Sequence, residues 1–219
     1  MADNVIGFAG IDKYDLILYL SRILFHMGKK VLLADCSESQ ALYHCIPVPD
    51  SLRESSSPVD YRGVDFIRGQ YFEPDILEDY DAVLIDMGSK VRDNMAAMCT
   101  VLYYVTDLQL HNINRIKNRK YIKNTDSFLV IKDVIQCKIK PEYVLEQLDS
   151  GFDRSRVYIL YQDAVDLKCR IQSQYNYIFG FSKLSEPARY LLRDIVKQAS
   201  RNLGEKEISH AFRKAERGK

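Results

Sequence analysis

The sequence predicts an α/β protein with three layers, in which a mostly parallel, twisted sheet lies between two layers of helices. Short apolar segments alternate with amphipathic segments at least six times along the chain. The apolar segments are hydrophobic over their whole length, as expected for parallel strands that helices cover on both faces. The 219 residues are 47% hydrophobic and 28% charged, which suits one large domain with a substantial core. We therefore predict a single domain over residues 1–219, with its C-terminal helices from about residue 185.

The first half of the chain supplies four of the predicted strands. Apolar residues at helical spacing between positions 16 and 25 predict the first helix, and Gly28 predicts its end. A long polar loop with Pro47, Pro49 and Pro58 follows the second strand. Strands are predicted at 5–9, 31–34, 64–67 and 81–86, and helical segments at 16–25, 40–44 and 91–98.

The second half continues the alternation to the final helices. A helix is predicted through Ile113 and Ile116, and a brief extended segment at 177–179. Ser185 is a plausible N-cap for the long helix after it, with Pro187 just inside its first turn. Further strands are predicted at 101–105, 128–131 and 157–161, and further helices at 141–148, 164–171 and 185–199.

Composition restricts the compartment and the partners. A net charge of +1 argues against a general electrostatic interaction with nucleic acid. The five cysteines are scattered and odd in number, which fits reduced thiols. Cys36, His44 and Cys45 lack a fourth ligand at recognisable spacing, so we predict no metal site. The chain starts without a signal-peptide pattern and has no apolar run of membrane-spanning length, so we expect a cytoplasmic protein.

The most informative segment joins the first strand to the first helix. A phosphate-binding loop of the G-x-x-x-x-G-K-[ST] type that starts at Gly7 would place glycine at 12, lysine at 13 and Ser or Thr at 14. Gly7 and Lys13 fit this spacing, but Asp12 and Tyr14 stand at the other two positions. The scaffold is therefore that of a nucleotide-binding protein, whereas the chemistry of the loop is altered.

Several segments, in the correct order, resemble the deviant-loop P-loop ATPases of the MinD/ParA group, including the TadZ/CpaE type of pilus-localisation protein. The resemblance covers nearly the whole chain. Residues 28–35 (Gly-Lys-Lys-Val-Leu-Leu-Ala-Asp) are similar to the family's second strand, and residues 80–86 (Tyr-Asp-Ala-Val-Leu-Ile-Asp) to the strand that carries its metal-side acid. Residues 101–107 and 161–166 are similar to a later strand and to the segment before the final helices.

The resemblance also shows which family residues are missing. The family's signature lysine, which in working members reaches the partner's nucleotide across a dimer, falls at Phe8. Asp12 replaces the last loop glycine, and Tyr14 replaces the hydroxyl residue that binds magnesium. The resemblance thus implies a degenerate ATPase, or pseudo-ATPase, whose residual nucleotide-binding residues are Gly7, Gly10, Lys13 and Asp86.

Asp12 should weaken phosphate binding. Backbone N–H groups and a helix N-terminus hold phosphates in such loops, and glycine allows their close approach. A carboxylate at ~4 Å and an effective dielectric near 20 opposes a phosphate charge by roughly 4 kcal/mol. That is roughly three decades in affinity, unless Lys13 offsets it.

The remaining candidate residues each have a functional and a structural interpretation. Lys13 either contacts a phosphate or pairs with Asp12 or Asp15. Asp86 either ligates magnesium through water or, as a strand-end acid, accepts hydrogen bonds from the loop backbone. We interpret Asp35 as a strand-end acid that caps the next turn, and the Lys132-Asp133 pair, where the family often has an adenine-reading asparagine, as an ordinary loop.

Two further segments could contact partners. Residues 114–120 form a basic run on a helix, which we interpret as a solvated face. In the tail, Ile208, Phe212 and Ala215 lie on one side of a predicted helix, but this apolar face is thin, so we expect no stable membrane attachment.

These observations favour a catalytically inactive MinD/ParA-like protein that acts as a binding or localisation module, for example in a pilus, secretion or cell-positioning apparatus. An ATP-binding switch with slow or no hydrolysis is the main alternative, with ATP or ADP as its cofactor. A Rossmann-type NAD(P) enzyme with Asp35 on a ribose ranks last, since Ala9 and Asp12 stand at two of its glycine positions. The expected partners are proteins, including a second copy of the chain, rather than nucleic acid.

Overall fold

Eight strands form one sheet in the part of the chain that the computed structural model describes, which is residues 4–49, 55–117, 125–148, 152–200 and 204–218. Residues 1–3 at the start of the chain and 118–120 of the basic run lie outside these ranges. The strands are β1 (Asn4–Gly10), β2 (Val31–Asp35), β3 (Val59–Tyr61), β4 (Val64–Arg68), β5 (Ala82–Asp86), β6 (Val101–Thr106), β7 (Asp126–Val134) and β8 (Val157–Tyr161).

The sheet is mostly parallel, as the unbroken apolar strands predict. Its order is β3-β4-β2-β5-β1-β6-β7-β8, and only the β3–β4 pair is antiparallel. The sequence analysis missed β3, because three residues are too few to show a periodic pattern. Arg62 and Gly63 have positive φ angles of 56° and 78°, which suits the tight turn of this hairpin.

Seven helices within the described residues cover the two faces of the sheet. They are α1 (Tyr14–His26), α2 (Asp93–Met98), α3 (Leu110–Lys117), α4 (Pro141–Gln147), α5 (Ala164–Asn176), α6 (Glu186–Ala199) and α7 (Glu205–Glu216). The helix predicted near 40–44 is a single 3-10 turn, Tyr43–Cys45. The segment at 177–179 is not a strand. Phe179 is instead buried beside the β3–β4 hairpin, with its ring 5.5 Å from that of Tyr61.

Two apolar cores separate the sheet from its helix layers, which confirms the predicted three-layer architecture. Side chains of α1, α6 and α7 pack on one face of the sheet, and those of α2, α3 and α4 pack on the other. β1 contributes to both cores because its side chains alternate: Ile6 and Phe8 face α1, and Val5 and Ala9 face α3.

The C-terminal helices are part of this packing. The apolar side of α7 is buried, and the ring of Phe212 meets that of Phe181 edge-on at 5.5 Å. The thin apolar face seen in the sequence therefore contacts protein. Ser185 precedes α6 as predicted, but its hydroxyl donates to Asp166 at 2.6 Å and does not cap the helix. No helix among the described residues is long and apolar enough to cross a membrane.

The strand order brings the acids of the central strands together. β5 lies between β1 and β2, so Asp86 at the end of β5 is the register partner of both Phe8 and Asp35. All these strands are parallel, so their carboxyl ends and the loops that follow share one edge of the sheet. This is the edge where α/β proteins bind ligands.

Candidate functional site

The connection between β1 and α1 is a tight turn. Only Ile11, Asp12 and Lys13 separate the last residue of the strand from the first of the helix. Gly10 has a φ of +115°, and a Cβ atom there would lie 1.9 Å from the Val105 carbonyl oxygen. Its own N–H donates to the Gly88 carbonyl at 2.8 Å. Position 10 therefore requires glycine for a structural reason, whatever the loop binds.

Gly7 lies inside the strand. It pairs with Ile85 on β5 and with Leu102 on β6, three residues before the turn. A Cβ atom there would lie 2.6 Å from Leu102 Cδ2 and 2.7 Å from Met87 Cε, so a larger residue would require these side chains to shift. The segment that the motif spacing assigned to a loop thus begins as a paired strand, and Gly7 is separated from the turn by the rest of β1.

Lys13 and Asp86 meet in the turn. Lys13 Nζ lies 2.7 Å from Asp86 Oδ1 and donates to the Gly10 carbonyl at 3.0 Å. The side chains are 4% and 3% exposed, so the pair is buried. Asp86 Oδ1 also accepts from the Gly88 N–H at 2.8 Å, the backbone role foreseen for a strand-end acid. The prediction that Lys13 pairs with Asp12 or Asp15 was wrong, because the strand order places Asp86 closer.

A second buried lysine holds the same turn from the other side. Lys132 Nζ lies 2.6 Å and 2.7 Å from the two carboxylate oxygens of Asp15, and donates to the Asp12 carbonyl at 2.7 Å. The interpretation of Lys132-Asp133 as an ordinary loop was wrong, since β7 continues to Val134 and Lys132 is buried within it. The signal in the sequence was a lysine at the end of an apolar strand, at the ligand-binding edge.

Asp35 caps the turn after β2, as predicted. Its carboxylate accepts from the Ser37 N–H and hydroxyl and from the Leu42 and Tyr43 N–H groups. Burial raises the pKa of this carboxyl above its ordinary value, and the nearby charge of Asp86 adds to the rise. These four donors occupy both oxygens.

A dinucleotide-binding arrangement does not fit these strands. In that fold the strand carrying the ribose-binding acid lies next to the first strand. Here β5 lies between β1 and β2, and the Asp35 carboxylate is engaged by its own turn. The NAD(P) alternative therefore has no support at this site.

Tyr14 and Phe8 point away from the turn into the protein. The Tyr14 hydroxyl donates to the Arg170 carbonyl on α5 at 3.0 Å. The Phe8 ring is fully buried and stacks on Tyr103 at a centroid distance of 5.3 Å. Tyr14 also lines the cleft beside the turn. Asp12, unlike Tyr14 and Phe8, is exposed to solvent, and it has a φ of +21°.

The turn borders a cleft of about 390 Å³ at the carboxyl edge of the sheet. The cleft also reaches the polar residues that follow β2, β5 and β6, among them Ser37, Glu38, Ser89, Asp107 and Arg115. A neighbouring cavity of about 670 Å³ lies toward α2 and α3 and shares Gly10, Ile11 and Ser89 with it. In the basic run, Arg115 and Lys117 are exposed on α3, and Arg115 lines both spaces.

The candidate metal ligands of the sequence do not cluster. Cys36 belongs to the core on the α3 side of the sheet, whereas Cys45 belongs to the core on the α1 side. No group of three or more potential metal-ligating side chains occurs among the described residues. The cleft thus offers the buried Lys13 ammonium group, the buried Asp86 and Asp107 carboxylates and the start of α1. Lys13 and Asp86 could meet a phosphate and its cation only after their ion pair separates.

The fold is that of solved MinD and ParA proteins. The septum site-determining protein MinD from Pyrococcus horikoshii OT3, solved with Mg-ADP, superposes with a TM-score of 0.64 at 14% identity, over 91% of this chain and 98% of that one. A chain of the MinC:MinD cell division complex from Aquifex aeolicus gives 0.58 at 14% identity, over 96% and 94%. The pNOB8 ParA protein bound to nonspecific DNA gives 0.57 at 13% identity, over 91% and 99%.

These similarities confirm the predicted three-layer α/β fold, which is the fold of MinD and ParA proteins. At such low identity they show the fold alone, so the TadZ/CpaE resemblance stays a prediction. No protein-family model and no curated protein matches the chain.

Proposed function

We propose that this protein is a catalytically inactive, MinD/ParA-like binding or localisation module that works without nucleotide turnover. The observation that carries this proposal is the buried Lys13–Asp86 ion pair, with Nζ and Oδ1 2.7 Å apart. The lysine that would contact a phosphate, and the acid on the magnesium side, neutralise each other. The buried charged groups of the turn thereby have partners without a ligand.

The other substitutions support the same proposal. Two of the three residues that replace family residues make structural contacts instead. Phe8 supplies an aromatic surface to the core, and Tyr14 ties α1 to α5. Neither side chain can take the family role, because phenylalanine has no ammonium group and the Tyr14 hydroxyl is bound to the Arg170 carbonyl. ATP hydrolysis in the family depends on a lysine that reaches across the dimer and on a Ser or Thr hydroxyl that binds magnesium. This chain has neither group at the matching position.

Partner binding is the function that remains for such a fold. One structural neighbour belongs to a complex between MinC and MinD. We infer a protein partner for this chain too, of the kind that a pilus, secretion or cell-positioning apparatus provides, with the folded domain serving as a scaffold.

Isothermal titration with ATP and Mg²⁺, together with a phosphate-release assay, tests the proposal. We expect neither binding heat in the micromolar range nor turnover. Micromolar binding with turnover contradicts it.

An ATP-binding switch is the second candidate, and the cleft beside the turn favours it. Its lining includes Gly10, Lys13 and Asp86, and a related fold was solved with Mg-ADP. In this reading a phosphate replaces Asp86 as the partner of Lys13, and Mg²⁺ compensates the released carboxylate.

Thermal unfolding with ATP–Mg, ADP–Mg and no ligand distinguishes the switch from the inactive module. A ligand at a hundred times its Kd stabilises a protein by about 2.7 kcal/mol, which shifts the melting temperature by several degrees. Lys13→Ala should then abolish the shift, whereas Lys138→Ala, an exposed lysine outside the cleft lining, should retain it. An unchanged melting temperature in the parent protein rules the switch out.

A further inference from the structure

In the part of the chain that the structure describes, the outer edge of β8 is not covered by a further strand. Among the described residues β8 pairs with β7 and with no other strand. Edge strands expose unpaired N–H and C=O groups, and natural proteins protect them with lysine, proline, a bulge or a covering segment. The β8 sequence Val-Tyr-Ile-Leu-Tyr contains no charge and no proline, and the irregularity in this region falls in the pairing with β7, between Ile131 and Val134.

The side chains along this edge are apolar and accessible. Val157, Tyr158 and Ile159 are half-buried, and Tyr161 is 61% exposed. A groove of about 390 Å³ follows the strand between its side chains and the first turns of α6. Tyr190 forms the other wall of this groove and is 62% exposed.

An aromatic ladder crosses the sheet and ends at the same edge. Phe8, Tyr103, Phe128 and Tyr158 lie on the adjacent strands β1, β6, β7 and β8, with successive ring centroids 5.3, 5.1 and 6.2 Å apart. Tyr190 is the last ring, 6.5 Å from Tyr158. Cross-strand aromatic pairs stabilise sheets, so the ladder holds β8 firmly in place as the last strand of the sheet.

The backbone of β8 presents usable hydrogen-bonding groups. The N–H of Gln162, just after the strand, donates to the Val134 carbonyl on β7 at 2.9 Å. Because backbone groups of successive strand residues point to opposite sides, those of Val157, Ile159 and Tyr161 point outward. If a strand pairs antiparallel with this edge and its central residue lies opposite Ile159, it can form backbone hydrogen bonds with all three of these residues.

The charges at the two ends of β8 are opposite in sign. Asp153, Arg154 and Arg156 precede the strand and together carry a net charge of +1, whereas Asp163 follows it. Arg154 is exposed, and Arg156 is half-buried in an ion pair with Asp126. When two copies of β8 run antiparallel about Ile159, the basic end of each faces the acidic end of the other. The edge is therefore self-complementary in charge as well as in hydrogen bonding.

We propose that β8 is a self-association surface, on which the occupant is β8 of a second copy of this chain. The two strands pair antiparallel, Ile159 lies opposite Ile159 on the twofold axis, and the two sheets join into one. Because the joined strands are antiparallel, the carboxyl edges of the two sheets point in opposite directions. Each Lys13–Asp86 cleft then faces away from the other copy's cleft and stays accessible.

This arrangement does not depend on nucleotide or on the function proposed above. A dimer formed across a bound nucleotide would bring the two clefts together, whereas pairing at β8 keeps them apart. Asp86→Asn should consequently leave the β8 dimer unchanged, so the two proposals can fail separately.

Cysteine cross-linking gives a positional test. Residues directly opposite in a hydrogen-bonded antiparallel pair have Cα atoms about 5.5 Å apart, within the range that a disulfide spans. Ile159→Cys should give a disulfide-linked dimer under mild oxidation. Lys206→Cys, at an exposed position on α7, should stay monomeric on a non-reducing gel, and the parent protein measures the background from its own cysteines. Equal cross-linking of the two variants overturns the proposal.

Sedimentation velocity over a wide range of protein concentration gives the second test. The parent should show a concentration-dependent dimer, and Ile159→Pro, which removes an outward N–H at the axis, should be monomeric with an unchanged circular dichroism spectrum. Arg154→Glu covers the case in which the proline variant does not fold. It should raise the dimer Kd roughly threefold to thirtyfold, with Lys206→Glu as the matched charge-reversal control. The proposal is overturned if the parent protein stays monomeric at all concentrations, or if Arg154→Glu leaves the dimer Kd unchanged.

Discussion

Lys13 Nζ lies 2.7 Å from Asp86 Oδ1, and these two side chains are almost fully buried at the turn between β1 and α1. The lysine that precedes α1 and the acid at the end of β5 thus neutralise each other. Lys132 and Asp15 form a second buried pair that holds the same turn through the Asp12 carbonyl. Two ion pairs therefore fix the segment between β1 and α1.

The Lys13–Asp86 pair should show strong energetic coupling. Removing one partner of a buried ion pair leaves an uncompensated charge and costs about 3–5 kcal/mol. We expect Lys13→Ala and Asp86→Ala each to lower the free energy of unfolding by that amount, and the double variant to lose about 1–3 kcal/mol less than the sum. Urea denaturation of all four proteins measures this coupling, and strict additivity would show that the pair is not formed.

Lys132 should matter for the turn although it lies 117 positions from Asp15 in the sequence. Lys132→Met removes the partner of Asp15 and the donor to the Asp12 carbonyl, so we expect a loss of about 3 kcal/mol. Amide hydrogen exchange should also become faster at residues 11–13. Lys138→Met, at an exposed lysine, should stay within about 0.5 kcal/mol of the parent. Equal stability of the two variants would mean that the contacts of Lys132 with Asp15 and with the Asp12 carbonyl do not stabilise the protein.

The family's signature lysine cannot be restored at Phe8 by one substitution. This ring is fully buried and stacks on Tyr103. Phe8→Lys removes the ring and places an ammonium group in an apolar core, which should cost about 3–5 kcal/mol or more. Phe8→Leu, which keeps the site apolar, should cost less than half as much. Thermal unfolding compares the two variants, and similar melting temperatures would indicate that position 8 faces solvent.

The five thiols should differ in reactivity. Burial raises the pKa of Cys36, Cys45 and Cys99 to about 12 each, so thiolate is scarce at pH 8. Cys137 and Cys169 are partly exposed and should be alkylated first by iodoacetamide. Mass spectrometry of peptides after timed labelling gives the order, and labelling in urea shows that all five can react. Early modification of Cys36 in the folded protein would contradict the buried arrangement.

Much of the fold could be predicted from the sequence because its signals are local. Strands covered on both faces read as unbroken apolar runs, and helices read as apolar residues at helical spacing. The positions of β1, β2, β5 and α1 follow from such runs within a residue or two. β3 lacks such a run. In the 177–179 segment only Phe179 is buried in the core, whereas Tyr177 and Ile178 are exposed, so its apolar pattern does not mark a paired strand.

The sequence by itself determined the α/β architecture, the edge of the sheet that carries the candidate site, and the presence of Gly10, Lys13 and Asp86 at that edge. Only the tertiary structure decided their contacts. β5 inserts between β1 and β2, which brings Asp86 to Lys13, and β7 brings Lys132 to Asp15. These partners are far apart in sequence, and an ion pair depends on distance in space. The order of strands in the sheet fixes that distance, and this order cannot be predicted from any local pattern of residues.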